Sequence, residues 1–356
     1  MEKDYMEYID IMNELEVHQM ILQGPPGTSK TYNAKEIIAE GIFVSNLENK
    51  PEDFTGSKKQ ITEILNNNQI NSDNKGYWDM VQLHPSYGYE DFVRGITIKT
   101  KDEQIQYETI NKIFGKMCKI AGNDDEGKKY FLLIDEINRA DVATVFGELI
   151  YALEYRNEAI ETPYEVGKSS KITVPDNLYI IGTMNTADKS VGNIDYAIRR
   201  RFIFFDLLPD ENVIKSEKKK ENESEIEKAE KVFLGVNKFI KTSINTQYRA
   251  NDFLIGHTYF LLPENLEENN SEDDNLKEKN SEKEKLKKLI EYRMEYQVLP
   301  ILREYYIDGI IRLSNDASGI YLNKYLTGEV ELSDVVSEII GYFEKLKKDE
   351  SGENND

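Results

Sequence analysis

The chain has 356 residues, with 45 Lys and Arg against 66 Asp and Glu, a formal net charge of −21 and a single cysteine. That length carries two domains and a sizeable core, while so negative a surface repels phosphodiesters and leaves only a local basic groove for nucleic acid. The lone cysteine excludes an internal disulfide and fits a reducing cytoplasm. The three histidines offer no zinc pattern, and no apolar run is long enough to cross a membrane or serve as a signal peptide.

In chain order, residues 4–16 place Tyr5, Tyr8, Ile9, Met12 and Leu15 near helical spacing and predict a short amphipathic helix. The run Met20-Ile21-Leu22 predicts a first strand over residues 18–23. Gly24-Pro25-Pro26-Gly27-Thr28-Ser29-Lys30-Thr31 follows, and then a helix from Tyr32 to Val44 with Ala34, Ile37, Ile38 and Phe43 turned inward. Residues 45–76 are rich in Asn, Lys and Ser and read as a surface excursion, with one short helix marked by Ile61, Ile64 and Leu65. A second strand is predicted over 79–83, a hairpin from 96–99 and 104–108, and a helix over 109–121 that holds Cys118 as a small core residue.

Tyr130 to Ile134 is continuously apolar, as a strand buried on both faces of a parallel sheet requires, and Asp135-Glu136 ends it. A helix over 142–155, a hairpin over 162–174, a buried strand over 178–183, a helix over 194–200 and a strand over 202–207 complete a first domain, residues 1–208. From Pro209 the composition turns Lys/Glu-rich and helical, giving a second domain over 209–320. Residues 264–284 within it are acidic and of low complexity, and a C-terminal extension over 321–356 ends in an acidic tail.

Strand, Gly/Pro turn, Lys-Thr and helix together form the setting of a phosphate-binding loop. Backbone N–H groups of the loop and the positive end of the following helix attract phosphate oxygens. Lys30 adds a point charge for the β- and γ-phosphates, and the Thr31 hydroxyl a magnesium ligand. Ser29 stands where the pattern has glycine; the expectation is a helical φ, which serine tolerates. The bland alternative is a Pro/Gly turn that opens a helix.

Asp135, at the end of a buried strand, is placed to hold the magnesium shell with Thr31, and Glu136 to polarise the attacking water as general base. The alternative is a strand ending in solvated acids. Asn185 ends another buried strand, where it can orient the same water, touch the γ-phosphate or cap a turn. Arg199-Arg200-Arg201 offers positive charge to a transition state whose negative charge spreads over phosphate oxygens, unless it is a solvated basic cluster.

GPPGTSKT, YEDFVRGI (89–96), LLIDEINRAD (132–141), GTMNTADKS (182–190), DYAIRRRF (195–202) and IGHTYF (255–260) occur here in the order of the McrB family of AAA+ motors, which the chain resembles over about residues 18–310. The resemblance implies an α/β fold: an AAA+ P-loop NTPase with a central parallel sheet flanked by helices, plus a smaller, mostly helical lid domain. It implies an NTP-hydrolysing motor of a modification-dependent restriction system, with GTP rather than ATP as substrate and Mg2+ as cofactor. It further implies a homo-oligomeric ring, usually a hexamer, with nucleotide at subunit interfaces. The arginine run then acts in trans on a neighbour's γ-phosphate, Arg200 first and Arg199 second, with Arg201 structural. Asn138 and Arg139 fall near the same interface, and Asp188 joins the catalytic candidates within the signature stretch. Lys189 stands where that signature has Arg, which keeps the charge and loses the bidentate fork.

Members of the family carry an N-terminal DNA-reading domain, whereas this chain reaches its loop by Gly24. DNA is therefore expected to be read by a separate domain or subunit, and cut by an McrC-like nuclease partner. Pro209-Asp210 with Glu217-Lys218-Lys219 mimics a nuclease core, but at too short a spacing. Guanine recognition is carried by resemblance alone; His18, Gln19 and the stretch 14–16 lie at the end of the chain where a base reader is expected. The competing readings are a MoxR-like protein-remodelling ATPase and a nucleotide-gated scaffold that barely turns over, the latter motivated by Ser29.

Overall fold

The computed structural model describes residues 5–47, 57–101, 104–188, 194–216, 223–262 and 288–312, together with 335, 337–339 and 341. Contacts divide the chain into two compact units: Met1–Gln23 with Lys30–Leu207, and Gly24–Ser29 with Leu208–Asp356.

The first unit is built on a five-stranded sheet in the order β2-β5-β8-β1-β9. Its strands are β1 (Gln19–Gly24), β2 (Trp78–Gln82), β5 (Tyr130–Asp135), β8 (Leu178–Asn185) and β9 (Ile203–Asp206). The pairs β1–β9, β2–β5 and β5–β8 run parallel. Strand side chains alternate between faces, so each apolar strand feeds two cores. Ile21, Leu132, Ile134 and Ile180 enter one core, whereas Met20, Leu22, Phe131, Leu133 and Ile181 enter the other. Each such side chain removed from water stabilises the fold by ~1.5–3 kcal/mol.

Helices α1 (Met6–Glu14), α2 (Lys30–Asn46) and α3 (Lys58–Asn68) cover the second of these cores with Ile9, Met12, Ile37, Ile38, Ile61 and Leu65. The other face carries α4 (Tyr89–Phe92), α5 (Ile113–Gly122), α6 (Val142–Phe146) and α7 (Leu149–Glu154). Cys118, on α5, is 3% exposed and is a core residue, its thiol pushed up to about 12 by burial.

Three predicted helices are corrected. Residues 109–111 belong to a strand, because the antiparallel ladder of β3 (Arg94–Lys101) and β4 (Gln104–Asn111) continues to Arg94↔Asn111. The helix foreseen over 142–155 breaks into α6 and α7 at Gly147. Its φ of +53° is disfavoured for L side chains, and a Cβ there would lie 3.1 Å from the Tyr89 ring. A second hairpin, β6 (Ala159–Val166) and β7 (Ser169–Thr173), starts earlier than the alternation indicated. Arg94 joins the two hairpins: its guanidinium donates to Asn111 Oδ1, Thr162 Oγ1 and the carbonyls of Tyr164, Ser169 and Lys171. The helix over 194–200 shrinks to α8 (Tyr196–Arg199), where Asp195 Oδ1 accepts from Ile198 N at 2.8 Å as its N-cap.

In the second unit, α9 (Glu211–Ser216) and α10 (Glu223–Ser243) are followed by short turns, then a π turn over Met294–Val298 that leads into a helix over Leu299–Ile307. The buried Asn237 of α10 pairs with Ile255 as a peptide would, accepting from its N–H at 2.7 Å and donating to its carbonyl at 3.0 Å. That pair fixes the path of residues 255–260. Lys189, Ser190, residues 217–219 and the acidic stretch 264–284 lie outside the described residues.

Candidate nucleotide site

The register Ile134↔Gly182 brings the C-terminal ends of β5 and β8 side by side. Asp135 and Thr183 therefore sit together. Thr183 Oγ1 donates to Asp135 Oδ1 at 2.6 Å, and Thr31 Oγ1, from the first turn of α2, donates to the same oxygen at 2.7 Å. A hydroxyl and a carboxylate at that separation are hard oxygen donors suited to magnesium, which binds through one or two carboxylates plus substrate phosphates. Thr183 escaped the sequence reading. A hydroxyl residue two positions before Asn185 in an otherwise buried strand is the signal that could have found it.

Beside Thr31, Lys30 is 8% exposed. Burial pulls its ammonium down to about 8, against the opposing pull of Glu136 and Asp135. A cation buried in this way gains from any anion that reaches it.

Glu136 leaves the strand with φ +54° and ψ +47°, a left-handed conformation that is costly for a residue with a Cβ and that concentrates at functional sites. Its N–H donates to Thr183 Oγ1 at 3.1 Å, which holds the turn. The carboxylate is engaged at both oxygens. Asn185 Nδ2 donates to Oε1 at 2.7 Å, and Arg139 Nε lies 3.4 Å from Oε2. Arg139 also reaches Asp188 Oδ2 at 3.5 Å. With Arg139 46% exposed, these ion pairs are worth at most ~1 kcal/mol and can be exchanged at little cost. Asn138 is buried; its Nδ2 donates to the Asn185 carbonyl at 3.3 Å, while its Oδ1 has no partner among the described residues. Glu136, Asn185, Asn138, Arg139 and Asp188 thus form one connected group.

The three arginines separate by environment. Arg201 is buried against Glu154 at 2.6 Å and donates to the Ala197 carbonyl. Arg199 donates to the Ile194 carbonyl and lies over the Phe204 ring. Arg200 is 64% exposed, with Glu154 at 3.3 Å.

Gly24 to Ser29 packs within the second unit. The expected helical φ at Ser29 is corrected: φ is +60°, the left-handed region where the pattern's glycine is at ease. The Ser29 hydroxyl lies 3.0 Å from His257 Nε2. Thr28 Oγ1 donates to the Pro25 carbonyl at 3.0 Å, and Pro26 and Gly27 accept from the N–H groups of Gly256 and Thr258.

Two further candidates are resolved. Gln19 is not placed to read a base: it is 2% exposed, donates to the carbonyls of Leu153 and Arg201, and accepts from Arg156. Asp210 of the nuclease-like run accepts from Asn212 N at 2.9 Å at the start of α9, a turn-capping role.

Residues 59–202 match the family described as AAA domain (dynein-related subfamily). The chain is 32% identical over 297 residues to the type IV methyl-directed restriction enzyme EcoKMcrB subunit of Escherichia coli strain K12, covering 81% of this chain and 54% of that protein. It is 37% identical over 89 residues to the type II restriction enzyme BsuMI component YdiS of Bacillus subtilis strain 168, covering 21% of this chain and 26% of that protein. The chain thus spans about half the length of the first relative and less of the second. A crystal structure from Cytophaga hutchinsonii is similar at 14% identity and a TM-score of 0.34, covering 67% of this chain and 62% of that one, too loosely to bear on the argument. With the motifs in order, the parallel sheet that carries them and these relatives, the chain belongs to the McrB-like AAA+ proteins.

Proposed function

We propose that the chain is a nucleoside triphosphatase that prefers GTP and works as a ring motor of a modification-dependent restriction system. The observation that carries the hydrolysis reading is that Thr31 and Thr183 both donate to one oxygen of Asp135, beside the Asn185–Glu136 pair, while the guanine preference and the ring rest on the resemblance to the McrB family. Gly24 to Thr31 would cradle the phosphates through backbone N–H groups, with the buried ammonium of Lys30 on the β- and γ-oxygens. Thr31 and Asp135 would hold Mg2+, which would supply positive charge against the charge that develops on the phosphates. Glu136 would take the proton of the attacking water, and Asn185 would aim its carboxylate. The exposed guanidinium of Arg200 is suited to a neighbour's phosphate, and Arg201, committed to Glu154, to holding the turn that presents it.

The relatives are named as a subunit and a component of restriction enzymes, so other subunits would act with this chain; the resemblance to the McrB family makes these a DNA reader and a nuclease of the McrC type. Phosphate release from GTP and ATP tests the core of the reading. Glu136→Gln should lower turnover at least ~100-fold while nucleotide affinity holds, the usual scale for losing a general base. Unchanged turnover would remove Glu136 from its role. Equal competition by GTP and ATP for a fluorescent guanine analogue would remove the base preference.

A second reading, a nucleotide-gated scaffold with little turnover, is favoured by the double engagement of Glu136. Turnover that stays negligible with and without the nuclease subunit, together with tight binding, would select it.

A further inference from the structure

We propose that His257 is a positioning residue for the phosphate-binding loop and acts through Ser29. The inference rests on reading Gly24 to Thr31 as that loop. Ser29 occupies the glycine place of the pattern at φ +60°. The left-handed region costs an L residue ~1–2 kcal/mol, so the conformation persists only where its surroundings hold it.

The hold is visible in residues 256–259, which lie along residues 26–29. Gly256 N donates to the Pro26 carbonyl at 3.0 Å, and Thr258 N to the Gly27 carbonyl at 3.1 Å. The approach is close enough to require glycine on both sides. A Cβ on Gly256 would sit 2.0 Å from the carbonyl group of Gly27, and one on Gly27, at φ +78°, would sit 2.5 Å from the Tyr259 ring.

The next contact along is made by side chains. His257 is 2% exposed, and its Nε2 lies 3.0 Å from Ser29 Oγ. On its other side, Nδ1 lies 3.2 Å from the backbone N of Asp210. A backbone amide can only donate, so Nδ1 is the unprotonated nitrogen. In the neutral ring the proton is therefore on Nε2, which donates to Ser29 Oγ. One imidazole thus links the start of α9 to the loop residue just before Lys30. A glycine at this place has no hydroxyl to receive that proton. The serine departure and the histidine act together: the hydroxyl offers an anchor that offsets the strained backbone, and His257 grips it.

A double-mutant cycle in the full chain tests this, with His257→Ala, Ser29→Gly and the pair, read as affinity for fluorescent guanine di- and triphosphates. Loss of one hydrogen bond predicts that His257→Ala weakens binding about tenfold in the unaltered chain. In the Ser29→Gly background the same change should have an effect below about twofold. His257→Gln can supply a donor from its amide and should recover part of the loss. It also keeps the test valid if His257→Ala does not fold. In hydrolysis assays KM should rise while kcat is retained, the signature of lost ground-state positioning, which a general loss of stability would not give. Equal losses in both backgrounds, or no loss in either, would overturn the role of His257 while leaving the loop reading intact. Failure of the unaltered chain to bind either nucleotide would overturn the loop reading and this inference with it.

Discussion

Lys30 ties burial to chemistry most directly. Its ammonium titrates near 8 because burial disfavours its charge, against an ordinary value of 10.5. The unfolded chain therefore holds more protons than the folded one between about pH 8 and 10.5, so this group's cost to stability falls as pH rises through that window. Binding has the opposite sign. A phosphate beside Lys30 restores its proton, so nucleotide affinity should fall as pH rises above about 8, with proton uptake on binding. Calorimetry in buffers of different ionisation enthalpy reads the uptake; affinity independent of pH from 7 to about 10 would contradict it.

Thr183→Val keeps the shape of the side chain and removes the hydroxyl shared by Asp135 and the Glu136 N–H. It should cut turnover about tenfold or more and cost ~1–3 kcal/mol of stability, because the part-buried Glu136 N–H loses its acceptor. Activity equal to that of the unaltered chain would remove Thr183 from the site.

At this scale the sequence displayed the chemistry but not the geometry. Lys30, Thr31, Asp135, Glu136 and Asn185 were recognisable from residue type and from the apolar runs before them. Thr183 was not, because its role follows from the β5–β8 register. Nor could spacing show that Ser29 is left-handed, since that depends on residues 256–259, more than two hundred positions away in the chain.

Among the elements, the two hairpins depend on one cation. Arg94 is 4% exposed, and the side-chain and backbone oxygens that accept from it belong to both β3–β4 and β6–β7. Arg94→Met should destabilise the chain by ~2–5 kcal/mol, because the buried Thr162 Oγ1 and several part-buried acceptors lose their donor at once. Denaturant unfolding with the midpoint unchanged would show that the hairpins are held by other contacts.

Strand existence was legible wherever apolar runs were continuous, as in β1, β5 and β8, because strands buried on both faces leave no polar positions. Helix limits were less so. The break at Gly147 is imposed by the Tyr89 ring and a positive φ, and the delayed start of α5 by pairing with β3. Both are tertiary effects that local periodicity does not carry.

For the whole molecule, charge and assembly decide behaviour. With a formal charge of −21, the chain alone should bind duplex DNA weakly at physiological salt, because cations must be recruited rather than released at the contact. A titration that gives nanomolar affinity for modified duplex would place DNA reading within this chain.

Assembly bears on the proposal that hydrolysis joins Glu136 of one subunit to Arg200 of its neighbour. Each substitution, Glu136→Gln or Arg200→Ala, should silence a homogeneous ring while leaving nucleotide binding in place. Mixing the two silent proteins creates interfaces where an intact Glu136 faces an intact Arg200 across a subunit boundary. Phosphate release measured across mixing ratios is therefore the most direct test. Activity should be absent at either extreme and rise to a maximum near equal proportions; a mixture as silent as its components, at nucleotide concentrations where the unaltered chain turns over, would contradict a shared site.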